Sequence, residues 1–295
     1  MYRRTKSAML WRAIRPFVGK DVGRFPLIMK VYNLLYHFLK PKGIILLEIQ
    51  GNKMYVDMSD PVIPKELYMT GIHEIEVTNL FKRIVKEGMT VVDIGAHIGY
   101  YTLLAAGLVG ENGRVFAFEP SPDNYSLLAR NIEINNYKNV VPVDKAVSNR
   151  TGTARLFLCP DNKGEHRLWD SYENREWVEV KTTTLDKFFE SRDSTIDIIK
   201  MDIEGGEAAA LQGMDNIIMR NPDLKIVTEF WLEGIKGSGS SPIEFLNSLT
   251  EHGFKLNCIE RKGIKPVTPS DVVRICEDRG NKGLGGFINF YCERK

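Results

Sequence analysis

The sequence predicts an α/β protein with a doubly wound, mostly parallel sheet and an antiparallel edge strand. Three observations carry that expectation. From residue 90 onward short apolar runs alternate with amphipathic ones, the apolar runs end on carboxylates or glycines, and two strand-like runs follow the last helix-like one with no clear helix between them. Strands covered by helices on both faces read as near-continuous apolar runs, unlike the strict alternation of a half-solvated sheet.

Taken in order, residues 1–43 read as a basic amphipathic helical extension. Arg3, Arg4, Lys6, Arg12, Arg15, Lys20, Arg24, Lys30, Lys40 and Lys42 face a single acid, Asp21, and alternate with large apolar residues such as Trp11, Phe17 and Tyr36. Such a segment either packs its apolar side on the main domain or lies on an anionic membrane surface, which gives residues 1–42 a peripheral membrane role as the alternative. Residues 44–88 read as a hairpin and helix cap: IILLEI and KMYVDM flank Gly51-Asn52, and a helix from about Glu74 to Lys86 carries an inner stripe of Ile75, Leu80, Ile84 and Val85.

The main domain, residues 89–295, supplies the alternation. Strands are expected at 90–94, 114–118, 139–143, 196–201 and 224–230, and helices near 99–109, 122–136, 206–219 and 242–252. Ser121-Pro122 should open the second helix as N-cap and first helical residue. The runs 253–259 and 286–292 should pair antiparallel. The polar interval 159–176, between ARLFL and WVEVKTTTL, reads as a long hairpin loop over a site.

Bulk properties narrow the function by exclusion. The 295 residues carry a formal charge of +2, which argues against nucleic acid as a partner of the whole chain. Cys159, Cys258, Cys276 and Cys292 lack zinc spacing and read as reduced thiols of a cytoplasmic protein, and no apolar run has the length of a membrane span.

Ligands of open α/β sheets bind beyond the carboxyl ends of the strands. There the sequence places Asp93 and Gly95, Glu119, Asp144, Asp202 with Glu204, and Glu229. Glu119 stands 26 positions after Asp93, where a carboxylate takes both hydroxyls of a ribose. A pyrophosphate calls for a Gly-x-Gly-x-x-Gly turn of bare amides. VVDIGAHIGYYT offers Gly95 and Gly99 alone, with His97 between them and Asp93 in front, a set better matched to a ligand carrying an ammonium and a sulfonium.

The ordered segments DIGAHIGYYT, AFEPSPDN, NIEIN, TLD and IKMDIEGGE resemble the FkbM family of S-adenosylmethionine-dependent methyltransferases over roughly residues 50 to 292. The resemblance implies a Rossmann-like, seven-stranded class I methyltransferase sheet. It also implies O-methylation of a hydroxyl on a glycan-like, lipid-linked or secondary-metabolite acceptor, with S-adenosylhomocysteine as product. On that basis Asp93, Gly95, Ala96 and Gly99 would surround the methionine part of the cofactor, Glu119 would hold the ribose and Asn124 the turn after it. Asp144 and Ala146 would lie beside the adenine, with His97, Tyr100 and Pro120 completing the set from the same motifs. The family's usual residue at position 97 is asparagine, so His97 departs from the pattern.

An aliphatic hydroxyl needs a base before it attacks. Asp202, Glu204 and Glu229 are the candidates, with Asp202 preferred as base or acceptor-orienting group and a divalent metal on Asp202 and Glu204 as the less favoured alternative. His166 reads as a solvated loop histidine, and Trp169, Tyr172, Trp177 and Trp231 either stack on a sugar or serve packing. Two competing functions are an RNA or protein methyltransferase and a non-catalytic scaffold of the same fold. The oligomeric state is open.

Overall fold

The computed structural model describes residues 41–170, 175–192, 195–283 and 285–294. The chain divides into two compact units after Glu74. The basic extension falls, up to residue 40, outside the described residues, and so does Tyr172.

In the first unit β1 (Ile44–Ile49) and β2 (Asn52–Asp57) pair antiparallel from Ile44↔Asp57 to Ile49↔Asn52. The turn is therefore Gln50-Gly51, one residue earlier than expected, with φ of 50° and 85°. Positive φ at both central residues matches the right-handed twist of the strands, and glycine supplies one of them without strain. Helix α1 (Ile63–Thr70), which the sequence reading missed, has Pro64 in its first turn and left-handed Gly71 as its C-cap.

The second unit begins with α2 (Ile75–Ile84), whose buried face is Val77, Thr78, Leu80 and Phe81. Ile75, expected on that face, is 45 % exposed, because it stands off the three- and four-residue spacing that links Val77, Leu80 and Phe81. The alternating region follows as β3 (Thr90–Ile94), α3 (Tyr100–Val109), β4 (Arg114–Phe118), α4 (Pro122–Ile134) and β5 (Val140–Val143). Ser121 is the N-cap of α4 with Pro122 behind it, although its side chain makes no capping bond.

A small side sheet interrupts the alternation. It consists of β6 (Ala146–Val147), β7 (Gly152–Phe157) and β8 (Trp177–Thr183), with β7 and β8 forming the expected long-looped hairpin. Next come α5 (Leu185–Phe189), β9 (Ile198–Met201), α6 (Glu207–Gln212), α7 (Asp215–Arg220) and β10 (Lys225–Trp231). The chain closes with α8 (Leu232–Gly237), α9 (Pro242–Glu251), β11 (Lys255–Glu260), β12 (Gly263–Pro266), α10 (Pro269–Asn281) and β13 (Phe287–Glu293).

Among the described residues the main sheet runs β12-β11-β13-β10-β9-β3-β4-β5. Pairings among β5, β4, β3, β9 and β10 are parallel, and β13 enters antiparallel between β10 and β11. The sheet is thus mostly parallel with an antiparallel strand, as expected, and carries one short further strand, β12, at its edge. The runs expected to close the sheet do pair antiparallel, Lys255 opposite Glu293. The reading without a helix between them is corrected by α10, which a Thr268 and Asp271 capping box opens. Its interior is mostly polar, with Val272 and Cys276 buried, so apolar periodicity gave little sign of it.

Helices bury both faces of the sheet. Phe116, Phe188 and Phe189 meet edge to face on one side of the core, and Phe230 meets Phe245 and Phe290 elsewhere in it. All four cysteines are free and buried. Among the described residues no helix is long and apolar enough to cross a membrane.

Candidate active site

The strand order reverses between β3 and β9, and there the tips of β3, β4 and β9 are tied together. Gly95 and Ala96 both donate their backbone N–H to the Phe118 carbonyl, at 3.0 and 2.9 Å, and the Asp202 N–H donates to the Ile94 carbonyl at 3.0 Å. Gly95 has φ of 81°, and a Cβ on it would lie 2.0 Å from the Asp202 carbonyl oxygen. Its glycine identity therefore serves the close approach of two strand ends. Gly99, at φ of 96°, caps α3 and packs on Leu128.

A cleft opens at this junction, with about 560 Å³ of empty space when its open, solvent-filled mouth is included. Of the residues expected around a cofactor, Gly95, His97, Glu119, Pro120, Asn124 and Ala146 line it, and so does Asp202. Glu119 is 5 % exposed and its carboxylate accepts the N–H of His97 on one oxygen and of Ser121 on the other, both at 2.8 Å. Burial nevertheless pushes its pKa up to about 7, against the amides that favour the charged form. Asn124 donates to the Lys163 carbonyl at 3.0 Å and so ties α4 to the 159–170 loop.

His97 has φ of 49°. Asparagine and histidine are among the non-glycine residues that tolerate this left-handed region best. His97 thus meets a backbone demand that asparagine would also meet.

Other expected residues sit elsewhere. Asp93, 1 % exposed, accepts from Thr102 Oγ1 at 2.6 Å, and its second oxygen is buried without a hydrogen-bond donor. Burial raises its pKa, the opposing positive charge is that of Lys200, and the Thr102 bond fastens α3 to β3. Ala96 is buried beneath the turn, and the Tyr100 hydroxyl meets Thr78 Oγ1 at 3.1 Å, away from the cavity lining. Asp144 is 56 % exposed, pairs with Lys181 at 3.1 Å, and leaves its neighbours Lys145 and Ala146 to line the cavity.

The three proposed catalytic carboxylates do converge. Asp202, Glu204 and Glu229 each present an oxygen within 4.8 Å of the others, although Glu204 and Glu229 lie outside the cavity lining. Glu229 comes from inside β10 rather than after it. Lys200, with its side chain 6 % exposed, places Nζ 2.8 Å from Asp202 Oδ2 and 4.8 Å from the Tyr101 ring centroid. Glu204 has φ of 56° and Gly205 φ of 96°, and a Cβ on Gly205 would strike the Gly234 backbone at 2.4 Å. The pKa of Glu204 is raised well above the usual carboxylate value by burial and by Asp202, Glu165 and Glu207, with Arg167 pulling it down. Glu207 opens α6 and accepts the Ile203 N–H at 3.0 Å, while burial raises its pKa to about 7.

The loop contributes most of what the sequence reading missed. Lys163, Gly164, His166, Arg167 and Leu168 line the cavity. His166 is half-buried rather than solvated, and its Nδ1 accepts the Cys159 N–H at 3.0 Å. Burial and Lys163 lower its pKa to about 4, which leaves a neutral ring with its proton on Nε2, a hydrogen-bond donor and not a base. Trp169 and Trp231 meet with ring centroids 5.9 Å apart, whereas Trp177 is 46 % exposed and lies under Arg155. The visible signal was the mixture of basic and aromatic residues in KGEHRLW, read as loop polarity alone.

The chain is similar to known methyltransferases. The chain is 28 % identical over 147 residues to the hexuronic acid methyltransferase AglP of Haloferax volcanii, covering 49 % of this chain and 58 % of that one. It is 27 % identical over 201 residues to the methyltransferase sdnD of Sordaria araneosa, covering 56 % of this chain and 73 % of that one. A solved S-adenosylmethionine-dependent methyltransferase from Aquifex aeolicus aligns with a TM-score of 0.43 at 17 % identity, over 80 % of this chain and 94 % of that one. Residues 93–256, more than half of the chain, match the Methyltransferase FkbM domain, and the chain belongs to that family.

Proposed function

We propose that the chain is an S-adenosylmethionine-dependent O-methyltransferase acting on a hydroxyl of a glycan-like acceptor. The observation that carries this is Glu119 at the tip of β4, held by two backbone amides at the wall of a cavity at the sheet's switch point. Each of its oxygens accepts one backbone amide and Asn124 adds a side-chain hydrogen bond, and since a carboxylate has about four lone-pair sites, acceptor capacity remains for a ribose hydroxyl. Ala146, Val147 and Leu156 give the cavity an apolar wall suited to an adenine.

When bound, the cofactor supplies an electrophilic methyl group on a sulfonium. The chain's share is alignment, exclusion of water and disposal of one proton. Asp202 takes the acceptor's hydroxyl proton, or orients it, as the oxygen attacks, a role supported by its position in the cavity lining. Glu204 and Glu229 stand behind it, and burial with the charges of Asp202, Glu165 and Glu207 raises the proton affinity of Glu204. Lys200 keeps part of that negative charge balanced from below. The name of the Haloferax relative supports a sugar as acceptor.

Methyl-labelled S-adenosylmethionine distinguishes the outcomes. Transfer to a hydroxylated glycan as an alkali-stable ether is expected. Alkali-labile label would mean carboxyl methylation instead, and label on RNA or on none of the acceptors would overturn the reading.

A further inference from the structure

We propose that Arg167, set against Trp169 and Trp231, is an acceptor-specificity residue that receives a carboxylate on the sugar ring to be methylated. The inference rests on the methyl-transfer reading above and names its substrate class, an acidic sugar.

Arg167 is 5 % exposed, yet among the described residues its one ion pair is with Glu165 at 3.4 Å, a residue itself 42 % exposed. A second bond, Nε to the Glu165 carbonyl at 3.2 Å, leaves most of the five guanidinium N–H groups uncommitted to protein acceptors. The charge of Glu204 and the two tryptophan faces offset part of the cost of burying this cation, but they leave its free N–H groups open to a ligand's acceptors. Arg167 lines the cavity, so a ligand can reach it.

Its placement is built rather than incidental. The backbone of Arg167 exchanges both hydrogen bonds with Phe157, at 2.8 and 3.2 Å, which anchors this point of the loop to β7. The guanidinium lies 5.0 Å from the Trp169 ring centroid and 4.9 Å from that of Trp231. Trp169 donates its indole N–H to the Glu204 carbonyl at 2.8 Å. Gly234 and Gly237 of α8 make room for the rings, since a Cβ on either would come within 2.1 Å of Trp231 or 2.3 Å of Trp169. The ensemble joins flat apolar faces, which suit the C–H side of a sugar, to a planar fork that matches a carboxylate. It also adjoins Glu204 of the carboxylate cluster that is to take the hydroxyl proton.

The test uses the full chain saturated with S-adenosylhomocysteine and titrated with D-glucuronate or D-glucose, followed by ligand-observed NMR at millimolar sugar. Wild type should bind glucuronate about tenfold or more tightly than glucose, the scale of one charge-assisted pair. Arg167→Met should abolish that preference while leaving affinity for S-adenosylhomocysteine within about twofold, and Arg167→Lys, which keeps the charge without the fork, should retain only part of it. The inference is overturned if the cofactor-saturated wild type binds neither sugar or both equally. It is also overturned if either variant keeps the full preference, or if Arg167→Met loses cofactor affinity, which would assign the guanidinium to the cofactor's own carboxylate. Failure of wild type to bind S-adenosylhomocysteine would instead count against the methyl-transfer reading.

Discussion

Gly95 and Asp202 belong to motifs more than a hundred residues apart, yet a Cβ on Gly95 would sit 2.0 Å from the Asp202 carbonyl oxygen. The contact welds the glycine turn to the turn that carries the acidic cluster. Gly95→Ala adds a backbone clash to a left-handed strain penalty, and should cost about 2–5 kcal/mol of stability. Denaturant unfolding of the variant checks this, and an unchanged midpoint would contradict it.

His97 owes its place to backbone conformation. His97→Asn should keep stability within about 1 kcal/mol of wild type, whereas the β-branched His97→Val should lose roughly 1–2 kcal/mol at φ of 49°. Thermal denaturation of both variants separates this account from one in which the imidazole itself is needed.

The raised pKa of Glu119, about 7, gives cofactor binding a pH dependence. Ribose hydroxyls donate to the ionised carboxylate, so the ligand binds the deprotonated form better. Affinity should fall as pH drops below about 7, and binding near neutrality should release a proton. Calorimetry in two buffers of different ionisation enthalpy measures that release, and Glu119→Gln should remove the part due to this group.

Lys200 Nζ, 2.8 Å from Asp202, already supplies a cation to the carboxylate cluster. Turnover should therefore survive dialysis against EDTA within about twofold. Loss of activity restored by magnesium would show instead that Asp202, Glu204 and Glu229 act as ligands.

The parts legible in the sequence were those governed by local rules. Strand tips ending on Glu119 and Asp202 follow from apolar runs and their boundaries, and the β7–β8 hairpin from its turn-rich loop. What escaped depends on tertiary contact. The partner of Asp93 is one such contact: one residue short of the strand end, its side chain meets Thr102 inside the protein. Arg167 looks like loop polarity until Phe157 pairs with its backbone and two tryptophans receive its side chain. Helix α10 lacked an apolar stripe, and its Thr268-to-Asp271 cap was the one local sign of it.

The central claim is that the cavity beside Glu119 holds S-adenosylmethionine. Calorimetric titration of the full chain with S-adenosylhomocysteine tests it most directly. One site per chain is expected, weakened about tenfold to a hundredfold in a folded Glu119→Ala variant, as for a lost charge-assisted hydrogen bond. No binding to folded wild type, or equal binding to the variant, would contradict it.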